Sequence, residues 1–97
     1  MTPVSLFLIA DLIGADLIVR RYANQKSRWM VTFEHGDTKD SVDDPLLTGT
    51  TGNGTTPFDA LRDYAERIAG KILVLNGGDE KRRREFAMPL ALTVEAS

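Results

Sequence analysis

The chain has 97 residues, 42% of them apolar and 27% charged, with a formal net charge of -2. That is one domain of ordinary globular composition, which argues against wholesale disorder. The absence of cysteine excludes disulfides, thiolate metal sites and a cysteine nucleophile, and the acidic balance argues against a dedicated nucleic-acid binder, which is usually basic.

Val4 to Ile13 is mostly apolar. No basic residue precedes it and Asp11 interrupts it, so it is expected to belong to the fold and not to a targeting segment. It is also too short to cross a bilayer. Ser5 can cap a short helix from Leu6 to about Gly14 with Leu6, Ile9 and Ile13 on one face. A strand over the same run is the alternative.

Leu17 to Ala23 reads as a strand, with Leu17 and Val19 on one face and Ile18, Arg20 and Tyr22 on the other. A polar turn over Asn24 to Ser27 leads into Arg28–Glu34, where Trp29, Val31 and Phe33 alternate with Met30, Thr32 and Glu34. A period of two marks a half-buried strand, and the two strands should form an antiparallel hairpin. His35 to Asp44 is polar and acidic and is expected to be a loop ended by Pro45. Leu46 to Thr51 is expected to be a short third strand. Thr51 to Thr55 is expected to be a flexible turn whose glycines tolerate positive φ.

The main helix is expected next. Thr56 suits the N-cap, Pro57 the first helical position, and Asp59 the positive end of the helix dipole. Phe58, Leu61, Ala65 and Ile68 form the apolar stripe with Tyr64 at its edge, and Gly70 is the stop. Ile72 to Leu75 reads as another strand and Asn76 to Asp79 as a turn. Phe86, Met88, Leu90, Leu92 and Val94 then recur at every second position, as an edge or broken strand interrupted by Pro89. The expected fold is α+β: one domain over 1–97 with a β-β-β-α-β core, a small antiparallel sheet of three to five strands and one main helix packed on one face. An exposed edge strand pairing across a two-fold axis would give a homodimer.

An ordered set of short matches runs through the chain. Trp29-Met30-Val31-Thr32-Phe33 is followed by Gly52-Asn53-Gly54-Thr55-Thr56-Pro57, then Ala60-Leu61, Asp63-Tyr64-Ala65, Ile68 and Gly70-Lys71, and finally Arg84-Glu85-Phe86 ahead of Pro89. Over about two thirds of the chain this resembles a family of small uncharacterised proteins encoded by bacteriophages and prophages. More distantly the core is similar to HicB-like antitoxin domains, whose helix begins T-x-x-E-A. Thr56, Asp59 and Ala60 match that start with Asp in place of Glu, while the proline- and glycine-containing loop after the second HicB strand is missing. The double-stranded RNA-binding domain has a similar element order, but Thr55-Thr56-Pro57 stands where that domain has a lysine-rich helix entry. The resemblance implies a phage or prophage accessory protein. It would bind a host protein in the bacterial cytoplasm, such as a component of a defence system.

Four features are candidates for function. Glu34, Asp37, Asp40, Asp43 and Asp44 place five carboxylates within eleven residues, offset by Lys39. They could steer a basic partner surface to the chain or serve as a solvated loop, and their spacing matches no calcium loop. Gly52, Asn53, Gly54, Thr55 and Thr56 lead into a helix N-terminus, where a nucleotide or other anion could dock. No lysine follows the glycines, so this is not a P-loop. Lys81, Arg82, Arg83 and Arg84 form a basic run suited to the phosphate backbone of a nucleic acid, the alternative to a protein partner. Asp79, Glu80 and Glu85 leave it a net +1, as four cations against three carboxylates. Trp29 and Phe33 are core residues or, if exposed, a binding anchor. The single histidine, His35, could be oriented by Asp37 or Asp40, but no nucleophile-elbow pattern accompanies it. No enzyme, cofactor or metal site is therefore expected, and binding a host protein leads the functional readings.

Overall fold

The computed structural model describes residues 2–23 and 28–94. The turn expected at 24–27 lies outside them. The elements are β1 (Val4–Ser5), α1 (Leu6–Ile13), β2 (Leu17–Tyr22), β3 (Arg28–Phe33), β4 (Gly36–Lys39), β5 (Gly52–Gly54), α2 (Pro57–Ile68), β6 (Ile72–Leu75), β7 (Arg84–Ala87) and β8 (Leu92–Thr93). The N-terminal run is a helix because both its ends are capped. The Ser5 hydroxyl accepts the Leu8 N–H, and Gly14 closes the last turn at φ 66°, a left-handed conformation that glycine adopts without Cβ strain. Helix α2 starts as its sequence dictates, with Thr56 Oγ1 accepting the Asp59 N–H at 3.1 Å.

The fold is α+β, and its strands divide among separate small sheets. Strands β2, β3 and β5 form one antiparallel sheet in the order β2-β3-β5, and β4, β6 and β7 form another in the order β4-β6-β7. Strands β1 and β8 pair in parallel. The chain passes from the first sheet to the second through Glu34 and His35 alone. His35 takes a left-handed φ of 58°. At Gly36 a side chain would crowd the Phe33 Cβ at 2.9 Å. A bend that carries a strand from one sheet to the next makes the corner.

Four expectations are corrected. Gly36–Lys39 is a strand inside the segment read as a loop, because pairing with the apolar β6 supplies the ladder that its polar side chains conceal. Leu46–Thr51 is not a strand. Only Thr48 bridges Thr38 there, through reciprocal main-chain bonds of 2.9 and 2.8 Å. The third strand of the hairpin sheet is instead Gly52–Gly54, inside the segment read as a flexible turn. Its glycines are needed for close approach and not for positive φ. A Cβ on Gly52 would collide with the Ala60 carbonyl and Tyr64, and one on Gly54 would collide with the Ala60 amide. Finally, α2 is rotated relative to the expected stripe. Ala60, Tyr64, Ala65 and Ile68 are buried, whereas Phe58 is 41% exposed and lies under the Arg62 guanidinium at 4.8 Å.

One core joins these layers, with Leu6, Ile9 and Ile13 of α1, Val31 and Phe33 of β3, the buried face of α2, Leu73 and Leu75 of β6, and Met88 and Val94. Tyr64 ties α2 to β3. Its hydroxyl accepts the Phe33 N–H at 3.0 Å, just past the residues that β5 pairs, and its ring meets Phe33 edge-on at 5.9 Å. Burial is the main cause that pushes the Tyr64 hydroxyl pKa above its usual value.

A second fixed point is ionic. Lys39, its side chain 5% exposed, binds Glu85 at 2.6 Å and the Val42 carbonyl at 2.9 Å. The hydrogen bonds from Lys39 and then Arg83 hold the Glu85 carboxyl below its ordinary range.

Two outcomes are expected. Gly52→Ala should lower stability in urea titration by about 1–3 kcal/mol, as overpacking does, while Gly78→Ala, with nothing within 4 Å of its Cβ position, should be near neutral. Glu85→Ala should depress the melting temperature more than Lys39→Met. It strands a buried ammonium, whereas the methionine removes the charge and keeps the stem. Because the Glu85 pKa is lowered on folding, its contribution is complete above the ordinary carboxylate value of about 4.3 and fades as pH falls below it. Glu85→Ala should therefore lack that part of the acid sensitivity in melting curves from pH 6 down to pH 3.

Candidate functional site

The structure distributes the five acids over different surroundings. Asp40 binds Lys71 at 3.0 Å, and Asp44 accepts the Leu46 N–H at 3.0 Å within a local turn. Asp43 is exposed. Asp37 stands on β4 facing a cleft at the corner. Glu34 is exposed at the opposite side of the bend, 3.7 Å from His35, and its N–H donates to the Asp16 carbonyl at 2.8 Å.

The glycine-rich segment lies flat beneath α2. The donors an anion would seek there are engaged. The Asn53 N–H donates to Asp63 at 2.8 Å, the Asp59 N–H donates to Thr56, and Thr55 reaches the Asp59 carboxylate at 3.4 Å. Two carboxylates thus border the segment, an arrangement that lends no support to anion binding.

The basic run is partly neutralised. Arg82 lies 3.8 Å from Asp79, Arg83 binds Glu85 at 3.0 Å and the Gly77 carbonyl at 3.2 Å, and Arg84 stacks over Phe86 at 4.9 Å. Lys81 has no ion pair among the described residues. Phe33 is in the core and Trp29 is half-buried against it.

Two features went unrecognised in the sequence. The first is the outer face of α1. With Leu6, Ile9 and Ile13 turned inward, Phe7, Leu8 and Leu12 remain 43%, 50% and 71% exposed. At 100° per residue, positions 7, 8, 11 and 12 share one outward arc, and Asp11 is its sole polar member. The signal was in the sequence, since a helix with apolar residues all round has more apolar surface than one core contact covers. The exposed Asp11 lies in the last turn of this helix, and the exposed Asp16 follows it, its carbonyl accepting the N–H of the exposed Glu34. No basic residue occupies its last turn, where the dipole favours a cation. The second feature is the cleft at the corner, which depends on a bend that no residue pattern announces. No helix among the described residues is long and apolar enough to cross a membrane, and no group of three metal-ligating side chains forms among them.

Comparison with protein-family models, with curated proteins and with solved structures returns no match in any of the three.

Proposed function

We propose that the protein acts by binding another protein, without catalytic chemistry of its own, and that α1 presents the contact. The observation that carries this is the outward arc Phe7, Leu8 and Leu12. It exposes roughly 300 Å² of apolar side chain, a patch size that on small proteins is often functional. The exposed part of these side chains stabilises nothing in the isolated chain, and each would contribute on the order of 1–2 kcal/mol if covered.

The charge around the arc defines the partner. Asp11, Asp16 and Glu34 add negative charge at the negative end of the α1 dipole, an arrangement unfavourable in the isolated chain. An apolar groove rimmed by lysine or arginine relieves both features at once, and complementary charge would steer its approach. The resemblance to phage-encoded proteins supports a host protein of the bacterial cytoplasm as that partner.

The test is a pull-down of the tagged protein from a bacterial host, with the recovered partner then purified and titrated. Leu8→Ser with Leu12→Ser should weaken binding at least tenfold. Exposed substitutions of this kind usually change stability by less than about 0.5 kcal/mol, so the fold should persist. Asp11→Lys should slow association, most strongly at low salt. Equal binding by the double variant would overturn the assignment of α1. Charge reversal at Asp43 and Asp44 that abolished binding would move the interface to the loop after β4. A wild-type dimer in sedimentation that the double variant lacks would make the partner a second copy.

A further inference from the structure

The corner between the sheets carries a different chemistry. The bend from β3 to β4 leaves a cleft of about 550 Å³, within the range of small-molecule sites. Asp37 of β4 forms one wall, Gly49 to Thr51 a second, and the turn after β6, Asn76 to Asp79, a third. Asn76 takes a left-handed φ of 55°, and its N–H donates to the His35 carbonyl at 3.0 Å. The two left-handed residues therefore clamp the mouth of the cleft to each other.

Asp37 is the informative residue. The three half-buried aspartates are Asp37, Asp44 and Asp63. Asp44 accepts a main-chain N–H, and Asp63 accepts the Asn53 N–H and binds Arg67 at 2.8 Å. The Asp37 carboxylate has neither a hydrogen bond nor an ion pair from any described residue. The neighbouring cations are committed elsewhere: Lys39 to Glu85, Arg83 to Glu85 and Gly77, and Arg82 toward Asp79. Glycines flank the carboxylate on both sides. A Cβ at Gly49 would lie 3.8 Å from one of its oxygens, and a Cβ at Gly77 3.8 Å from the other. Partly desolvating a charge without pairing it costs free energy, and an incoming cation would offset that cost.

We infer that the cleft binds a small organic cation, an amine or guanidinium compound about the size of an amino acid, with its positive group on the Asp37 carboxylate. Asp79 adds negative charge to the same cleft. The Thr51 hydroxyl, and the amides of Gly77 and Gly78, neither of which donates to a described residue, offer donors to an acceptor group on the ligand. A simple alkylamine uses the carboxylate alone, whereas an amino acid uses both halves of the site.

The experiment is a titration of the isotope-labelled protein with arginine, agmatine and putrescine, followed by amide chemical shifts, with acetate as the anionic control. Saturable shifts at Gly36, Asp37, Gly49 and Gly77, with a midpoint below about 5 mM for at least one cation and none for acetate, are expected. Tighter binding of arginine than of agmatine would show that the glycine amides take part. Asp37→Asn should weaken the binding at least fivefold. Gly49→Leu, whose Cβ has only the Asp37 carboxylate within 4 Å, at 3.8 Å, should block it while leaving the melting temperature close to that of the parent. The inference is overturned if no cation gives a saturable shift up to about 10 mM, or if both variants bind as the parent does.

Discussion

Helix α2 lies directly on the backbone of β5, and the rest of the molecule is arranged around that contact. It exists because Gly52 and Gly54 have no Cβ to hold the helix off. A helix normally rests on a sheet through intervening side chains. Here the helix backbone comes close enough for Tyr64 to reach past the end of β5 and receive the Phe33 N–H. That one hydroxyl replaces the partner a longer β5 would have supplied. An unpaired buried N–H would cost about 1–3 kcal/mol, so β5 can begin only at Gly52, opposite Val31.

The short β5 has a consequence for the second sheet. Beyond Val31 the hairpin sheet has no third strand, and the space is taken by Thr48 to Thr50, which turn toward β4. Thr48 bridges Thr38, Thr50 shares a 2.7 Å hydroxyl contact with Thr38, and Thr32 donates to the Thr50 carbonyl at 3.2 Å. These threonines join the two sheets where no continuous ladder does. The cleft is the volume left between this crossing and the turn after β6. Its shape follows from the register of β5 and from the bend at His35 and Gly36, and both are set by the main chain.

This explains what the sequence conveyed and what it concealed. Helix α2 was legible, and α1 legible as one of two readings beside a strand, because helix caps and stops are local. Ser5, Gly14, Thr56, Pro57 and Gly70 act within one turn of themselves. The β2–β3 hairpin was legible from the alternation of Trp29, Val31 and Phe33. Strand β4 was concealed because Gly36, Asp37, Thr38 and Lys39 have strand geometry only by virtue of their pairing with β6, a partner some 35 residues away in sequence. Strand β5 was concealed because a glycine can signal a turn or a close approach, and only the helix above it decides between them. The stripe of α2 was misplaced by the same contact. Lying on glycines, the helix buries Ala60 and the large Tyr64 where Phe58 and Leu61 would have suited an ordinary sheet surface. The grouping of the five acids was apparent only in sequence. Once β4 forms, alternate residues leave on opposite faces, and Asp40 is drawn to Lys71.

The two surfaces singled out here differ in what holds them in place, and that bears on how each would work. The outer face of α1 rests on a two-turn helix pinned by Leu6, Ile9 and Ile13 and by the short β1–β8 pairing. A helix of eight residues has little stability of its own, so the core contacts of its inner face must hold the outer face in position. Covering Phe7, Leu8 and Leu12 would add apolar burial to a segment that has few other contacts, and binding there should also rigidify the N-terminal region. The cleft is formed by the main chain of two sheets and is already fixed by the Asn76–His35 bond. A ligand there gains from a carboxylate held in place before it arrives and pays little ordering entropy. Occupancy of the cleft would brace the turn after β6, whereas occupancy of α1 would brace the N-terminal helix. Coupling between the two would have to pass through Phe33, which packs with α1 and α2 in the core and also lines the cleft.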